Sequence, residues 1–173
     1  MTLIVVSGAP GTGKSTVAGA LAGSFGLPLL SLDMLKETLA DVLGTGGEDW
    51  SDQVGDAAAE VVFRLCASFP GAVAEGWWRR ARRDRAIREF AGAAEVFCYC
   101  DPRTATRRMR ERHRTGRHPI HRDVINPALI GRSATNLPAV EPLGLGGVLV
   151  TVDTDRPGAP ERAAAGLAAA LRP

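Results

Sequence analysis

The sequence predicts an α/β fold, a parallel sheet with helices on both faces. Two observations carry that reading. Short apolar runs of strand length alternate with helical stretches from end to end. A glycine-rich turn joins the first run to the first helix. At 173 residues the chain fits a single domain, residues 1–173, and can bury roughly 70% of its unfolded surface. It contains no apolar run of the ~18 residues that a membrane span requires. Its start lacks the pattern of a signal peptide, so a cytoplasmic protein with no membrane partner is expected.

The elements follow in order. Residues 3–7, Leu-Ile-Val-Val-Ser, read as a strand buried on both faces. Residues 14–24 read as a helix, with Val17 and Leu21 four apart and Gly26 and Pro28 closing it. A second strand covers residues 29–32, and Asp33 stands at its end before a helix over 34–43 that stops at Gly44. A loop with three glycines and Trp50 runs from 44 to 51, and the next helix spans 56–69. Strand 71–75, helix 80–90 and strand 95–100 come next, then a helix from Pro102 to about residue 113. Residues 113–145 are irregular, with a lid at about 113–128 and a short helix at 128–135. A fifth strand over 147–152 and an alanine-rich helix over 161–171 complete the chain.

Cys66, Cys98 and Cys100 lack metal-ligand spacing and read as buried free thiols of a reducing compartment. The net charge of +2 excludes nothing about partners. Its distribution is less even, since nearly all the positive charge is arginine, much of it between Arg79 and Arg132.

The strongest signal is Gly8-Ala9-Pro10-Gly11-Thr12-Gly13-Lys14-Ser15, followed by Thr16, which fits G-x-x-x-x-G-K-[ST]. Glycines let successive N–H groups turn inward and form an anion nest at a helix N-terminus. In such a loop Lys14 reaches the β- and γ-phosphates and the Ser15 hydroxyl ligates Mg²⁺. A buried strand before it and a helix after it are the context this loop needs. A guanine-reading N-K-x-D segment is missing, and Asp52-Gln-Val-Gly55 follows polar residues rather than a strand. A GTP switch is therefore not expected, and a small kinase using ATP is.

Further residues extend the series: Leu30-Ser-Leu-Asp33 with Lys36-Glu37, Val73-Ala-Glu75-Gly76, and Cys100-Asp101-Pro102 before Arg108 and Arg112. Gly116-Arg-His-Pro-Ile-His121 and Val152-Asp153-Thr154 complete it. Together they resemble the P-loop kinases that phosphorylate hydroxyls of small molecules or nucleic-acid ends. Chloramphenicol phosphotransferase, the zeta-toxin kinases and the kinase domain of polynucleotide kinase are of this kind. The resemblance implies a five-stranded parallel sheet of order 2-3-1-4-5 with a lid after strand 4, and ATP with Mg²⁺ as cofactors.

Asp33, at the carboxyl end of a strand, faces the ligand crevice of an open sheet and is the candidate base for an acceptor hydroxyl. An N-cap for the following helix is its alternative role. Lys36, one turn on, either touches substrate or pairs with Glu37 or Asp33. Glu75 ends an apolar strand where an unpaired carboxylate is costly, so it either supports Mg²⁺ with Ser15 or pairs with an arginine. Trp78 and Arg79 are candidate acceptor contacts beside an arginine-rich, mostly solvated helix. Arg112 and Arg117 are the candidates for stabilising the transferred phosphoryl group. Arg108 is a candidate for the adenine, and the resemblance implies the same for Asp153 and Thr154, with a simple turn as the alternative. His113, His118 and His121 read as lid or substrate contacts rather than a zinc site. The whole reads as a phosphotransferase acting on a hydroxyl of a small molecule of antibiotic, sugar or nucleoside type. A nucleic-acid 5′-hydroxyl or nucleotide kinase and a non-enzymatic nucleotide sensor are the alternatives.

Overall fold

The structure, a computed structural model, describes residues 2–78, 81–121 and 141–172. Five strands, β1 (Thr2–Gly8), β2 (Leu29–Ser31), β3 (Gly71–Glu75), β4 (Ala94–Tyr99) and β5 (Leu149–Asp153), form one sheet in the order β2-β3-β1-β4-β5. All four pairings are parallel. Helices α1 (Lys14–Phe25), α2 (Leu32–Leu43), α3 (Glu48–Ser68), α4 (Ala81–Glu89), α5 (Pro102–Arg114) and α6 (Ala159–Ala170) flank it. None of the described helices is long and apolar enough to cross a membrane.

The period of two along β1 divides the core. Val5 joins Val62, Phe63, Trp78 and Phe90 under α3 and α4. Ile4 and Val6 point the other way, to Val17 and Leu21 of α1 and to Ala163 and Leu167 of α6. A continuous apolar strand is therefore buried on both faces, as its composition predicts.

Most boundaries shift by one or two residues from the sequence reading, and two differences bear on the site. Helix α2 begins at Leu32 because Ser31 caps it, its Oγ accepting from Met34 N at 3.4 Å. Asp33 thus lies inside the first turn and is not the cap. Helix α3 begins at Glu48, eight residues before the expected start, with Glu48 and Asp49 suited to the positive end of the helix. Gly55 is helical, and the Arg82 guanidinium packs against its face. The expected short helix at 128–135 lies outside the described residues, as does the lid beyond residue 121.

One buried carboxylate ties separate parts of the sheet together. Glu95, 2% exposed in β4, accepts hydrogen bonds from Ser7 Oγ (2.5 Å), Leu143 N (2.7 Å) and Gly144 N (3.0 Å). Glu95→Gln replaces one acceptor oxygen by an NH₂ that must face a donor. It should cost roughly 1.5–3 kcal/mol, the range for hydrogen bonds to a charged group. Urea denaturation measures it, and an unchanged midpoint would remove Glu95 from the framework.

Candidate active site

The phosphate loop is shaped by close approach. At Gly8, with φ 141°, a Cβ would overlap the Cys98 carbonyl, so only glycine lets β1 turn here against β4. Gly13 caps α1 in the left-handed region with φ 77° and no side-chain bond, leaving the first N–H groups of α1 directed at the crevice. Thr12 Oγ1 and Lys14 Nζ both donate to the Ala9 carbonyl, at 2.8 and 2.9 Å, and hold the loop curled.

Lys14 and Glu75 face each other across the carboxyl edge of the sheet, 8% and 3% exposed. Burial pulls the Lys14 ammonium below its ordinary value, against the pull of Glu75 and Asp33. Burial likewise pushes the Glu75 carboxyl up, and Lys14 opposes it. Glu75 accepts from Ser31 Oγ at 2.8 Å and from Ser15 Oγ at 3.4 Å. Ser31 lies beside Glu75 in the register of β2 and β3, so one hydroxyl caps α2 and satisfies the buried carboxylate. The Ser15 and Glu75 oxygens form a hard-donor pair suited to a small dication.

A second set of charges runs along α2. Asp33, Glu37 and Asp41 are spaced by four and form one acidic stripe. Residues 117–121, beyond α5, lie along it. Arg117 Nη2 is 3.3 Å from Asp33 Oδ2, His121 Nε2 is 2.7 Å from Glu37 Oε1, and His118 Nε2 is 3.0 Å from Asp41 Oδ1. Ile120, 1% exposed, anchors this arm, and its carbonyl accepts from Ser51 Oγ at 2.7 Å. Lys36 Nζ donates to the same Ser51 Oγ at 2.8 Å. Burial alone would raise the Asp33 carboxyl, but His121, Arg117 and Lys14 outweigh it and hold Asp33 below the ordinary carboxylate value. Asp33 is therefore ionised at neutral pH.

These groups share one cavity of about 970 Å³, lined by Gly11, Gly13, Lys14, Ser15, Thr16, Asp33, Lys36, Glu75, Arg108, Arg112, Arg117 and Thr154, among others. Arg108 donates from Nη1 to Thr154 Oγ1 (3.0 Å) and from Nη2 to the Thr154 carbonyl (2.9 Å), closing the end of the loop opposite Asp33. Asp153 does not line the cavity; its carboxylate accepts from Asp155 N and pairs with Arg156. Trp78 requires a correction. It is 4% exposed in the core, its ring 5.6 Å from Phe63 and 5.2 Å from Phe90, so it cannot contact an acceptor. Its neighbour Trp77 lines the cavity instead. Arg79 lies outside the described residues. Lys36 lines the cavity and reaches Ser51 of α3, while Glu37 pairs with His121 beyond α5. Cys66 and Cys98 are buried, with burial pushing their thiols up to about 11 and about 12, and Cys100 is half-buried. The sequence reading missed Ser31, Ser51, Asp41 and Arg82. The i, i+4 spacing from Asp33 was the one available signal for the stripe.

Comparison with known proteins agrees with the fold. The profile of the AAA domain family matches residues 3–129, more than half of the chain. A solved structure of a provisionally named kinase from Chloroflexus aurantiacus j-10-fl is 30% identical, with a TM-score of 0.89 over 99% of this chain and 98% of that one. A gluconokinase from Sinorhizobium meliloti 1021 is 27% identical, with a TM-score of 0.65 over 97% and 92%. A cytidylate kinase of Ignicoccus hospitalis is 48% identical over 44 residues, and that match spans 25% of this chain and 26% of the relative's length.

The Asp33–Arg117 pair carries a pH signature. A carboxyl held low in the folded state stabilises it above the unfolded value, and the contribution is lost as pH falls through the folded value. Arg117→Met lets the Asp33 value rise, so the stability gap to wild type should be largest at neutral pH. It should shrink well below the ordinary carboxylate value of about 4. Urea denaturation at both pH values checks this, and an equal gap at both would show that the pair contributes no charge term.

Proposed function

The chain is a P-loop kinase that belongs to the AAA domain family, and from that premise we propose that it moves the γ-phosphoryl group of ATP to a hydroxyl of a small molecule. The observation that carries this reading is an ionised carboxylate, Asp33, in the same cavity as Lys14 and Ser15. A hydroxyl acceptor must lose a proton as its oxygen meets phosphorus, and a positioned carboxylate receives it. An acceptor phosphate needs no base and would bring its own negative charge against Asp33, which disfavours a nucleoside monophosphate. The likeness to a gluconokinase supports an alcohol acceptor, and the half-buried Trp77 suits a sugar ring, a nucleoside or an aromatic antibiotic. The three free thiols support a reducing, cytoplasmic setting.

The residues divide the work. Backbone N–H groups of the loop and the start of α1 bind the triphosphate. Lys14, now turned to Ala9, exchanges that carbonyl for β- and γ-phosphate oxygens. Among the described residues no three of His, Cys, Asp and Glu converge as a metal cage. Mg²⁺ binds through one or two protein oxygens and completes its shell with phosphate and water. Ser15 and the buried Glu75, whose carboxyl gains from a neighbouring cation, would hold it; when bound it neutralises charge on the β- and γ-oxygens. Arg112 lies close enough to Lys14 to depress its ammonium and can meet the equatorial oxygens in a loose transition state. Arg117 pairs with Asp33, so its first role is to orient the base and keep it ionised. Arg108 and Thr154 border the far end of the loop, where the nucleoside lies.

Two variants test the reading, with ATP binding followed by calorimetry and ADP release assayed against a panel of sugars, nucleosides and aromatic diols. Lys14→Ala should weaken ATP binding and abolish measurable turnover, and it should also lower stability because the buried Glu75 carboxylate loses its cation; unaltered transfer would sink the phosphate-loop assignment.

Asp33→Asn leaves the Ser31 cap in place, so ATP affinity should hold while transfer falls by roughly 10²- to 10⁴-fold, the worth of a positioned base. Near-normal turnover would remove Asp33 from the chemistry.

A further inference from the structure

Helix α5 carries six arginines and one acidic residue, Glu111, in a chain whose net charge is only +2. The arginines divide between two faces. Arg108 and Arg112 line the cavity. Arg103, Arg107, Arg110 and Arg114 do not, and all four are exposed. Their spacing of four, three and four keeps them within about 60° of one another around the helix, in a stripe about 17 Å long. Elsewhere arginines meet acidic partners, as Arg64 and Arg85 do with Glu60 and Arg82 with Asp56. In the stripe Arg114 alone meets a carboxylate, that of Glu111, at 3.7 Å. The side chains of Arg103, Arg107 and Arg110 make no hydrogen bond or ion pair with any described residue. Such a row of uncompensated cations is the electrostatic footprint of a polyanion.

The residues beside the stripe select its partner. Thr104 and Glu111 flank it on one side, Thr106 and His113 on the other. No apolar side chain is among them. A helix that lies in a membrane surface needs an apolar face beside its charges, and a protein interface needs aromatic or aliphatic anchors. Single-stranded nucleic acid is held by aromatic rings on which bases stack. A duplex backbone asks for cations alone. The major groove of B-DNA, about 12 Å wide, admits an α-helix, whereas that of A-form RNA is deep and narrow. We infer that the outer face of α5 is a docking surface for the phosphate backbone of duplex DNA, while the opposite face of the same helix serves the kinase site. The stripe spans about five base-pair steps. Each guanidinium offers a planar fork of donors that matches phosphate oxygens.

The test is the fluorescence anisotropy of a short labelled DNA duplex, titrated with the full chain at salt concentrations between about 50 and 200 mM. Three to four phosphate contacts should give a log–log slope of affinity against salt of about −3 to −4. Arg103→Gln, Arg107→Gln and Arg110→Gln combined should weaken binding roughly tenfold or more at the low-salt end and flatten the slope by about 2.7. ATP binding by calorimetry should be unchanged in that variant, because none of the three lines the cavity. Glu111→Gln removes the one carboxylate beside the stripe and releases Arg114, so it should tighten DNA binding, a gain that a folding defect does not mimic. An unchanged affinity in the triple variant, or a slope near zero in wild type, would overturn the docking surface. So would equal or tighter binding of single-stranded DNA, an RNA duplex, polyglutamate or phosphatidylserine vesicles. If the triple variant loses ATP binding as well, Glu111→Gln decides alone, and no gain in that variant overturns the proposal.

Discussion

A lysine ammonium and a glutamate carboxylate, each nearly out of water at the carboxyl edge of one sheet, set the terms for everything around them. Either charge alone would be expensive there, because burial disfavours both ionised forms. Together, and with hydroxyls from Ser15 and Ser31 on the carboxylate, they are tolerable. That requirement reaches into the fold. Ser31 must stand beside Glu75 in register, α2 must start at once so that Ser31 can cap it, and Asp33 is then carried to the crevice by the first turn of that helix. The position of the candidate base follows from how a buried carboxylate is satisfied.

Much of this could be read from the residues, and what could not has identifiable causes. Strand β3 was legible to the residue because a buried parallel strand is apolar throughout and bounded by glycine. The phosphate loop was legible because its chemistry is local: glycines, a lysine and a serine at fixed spacing. Helix α3 was read too short because its first turns, from Glu48 to Gln53, are mostly polar, and at Gly55 a guanidinium from another helix takes the place a Cβ would need. Trp78 was misjudged for a related reason. Two adjacent tryptophans beside arginines look like one recognition surface, but in the segment after β3 their rings face different ways. One therefore entered the aromatic core and the other lined the cavity.

The contacts of Lys36, Glu37 and the arm were the least legible. Each joins residues fifteen to eighty-four positions apart, and sequence offers only the local partner. Lys36 beside Glu37 looks like a solvated pair. In the structure the two point to different neighbours, and each completes a contact with another element.

The acidic stripe of α2 has an energetic side. Like charges at i, i+4 disfavour a helix by about 0.2–0.5 kcal/mol per pair, and α2 carries two such repulsions in succession, Asp33 with Glu37 and Glu37 with Asp41. The helix is self-opposed until Arg117, His121 and His118 settle along it. The arm thus supplies the partners that offset the like-charge repulsion along α2. The first turn of α2 at Asp33 is thereby tied to a chain segment more than eighty residues away.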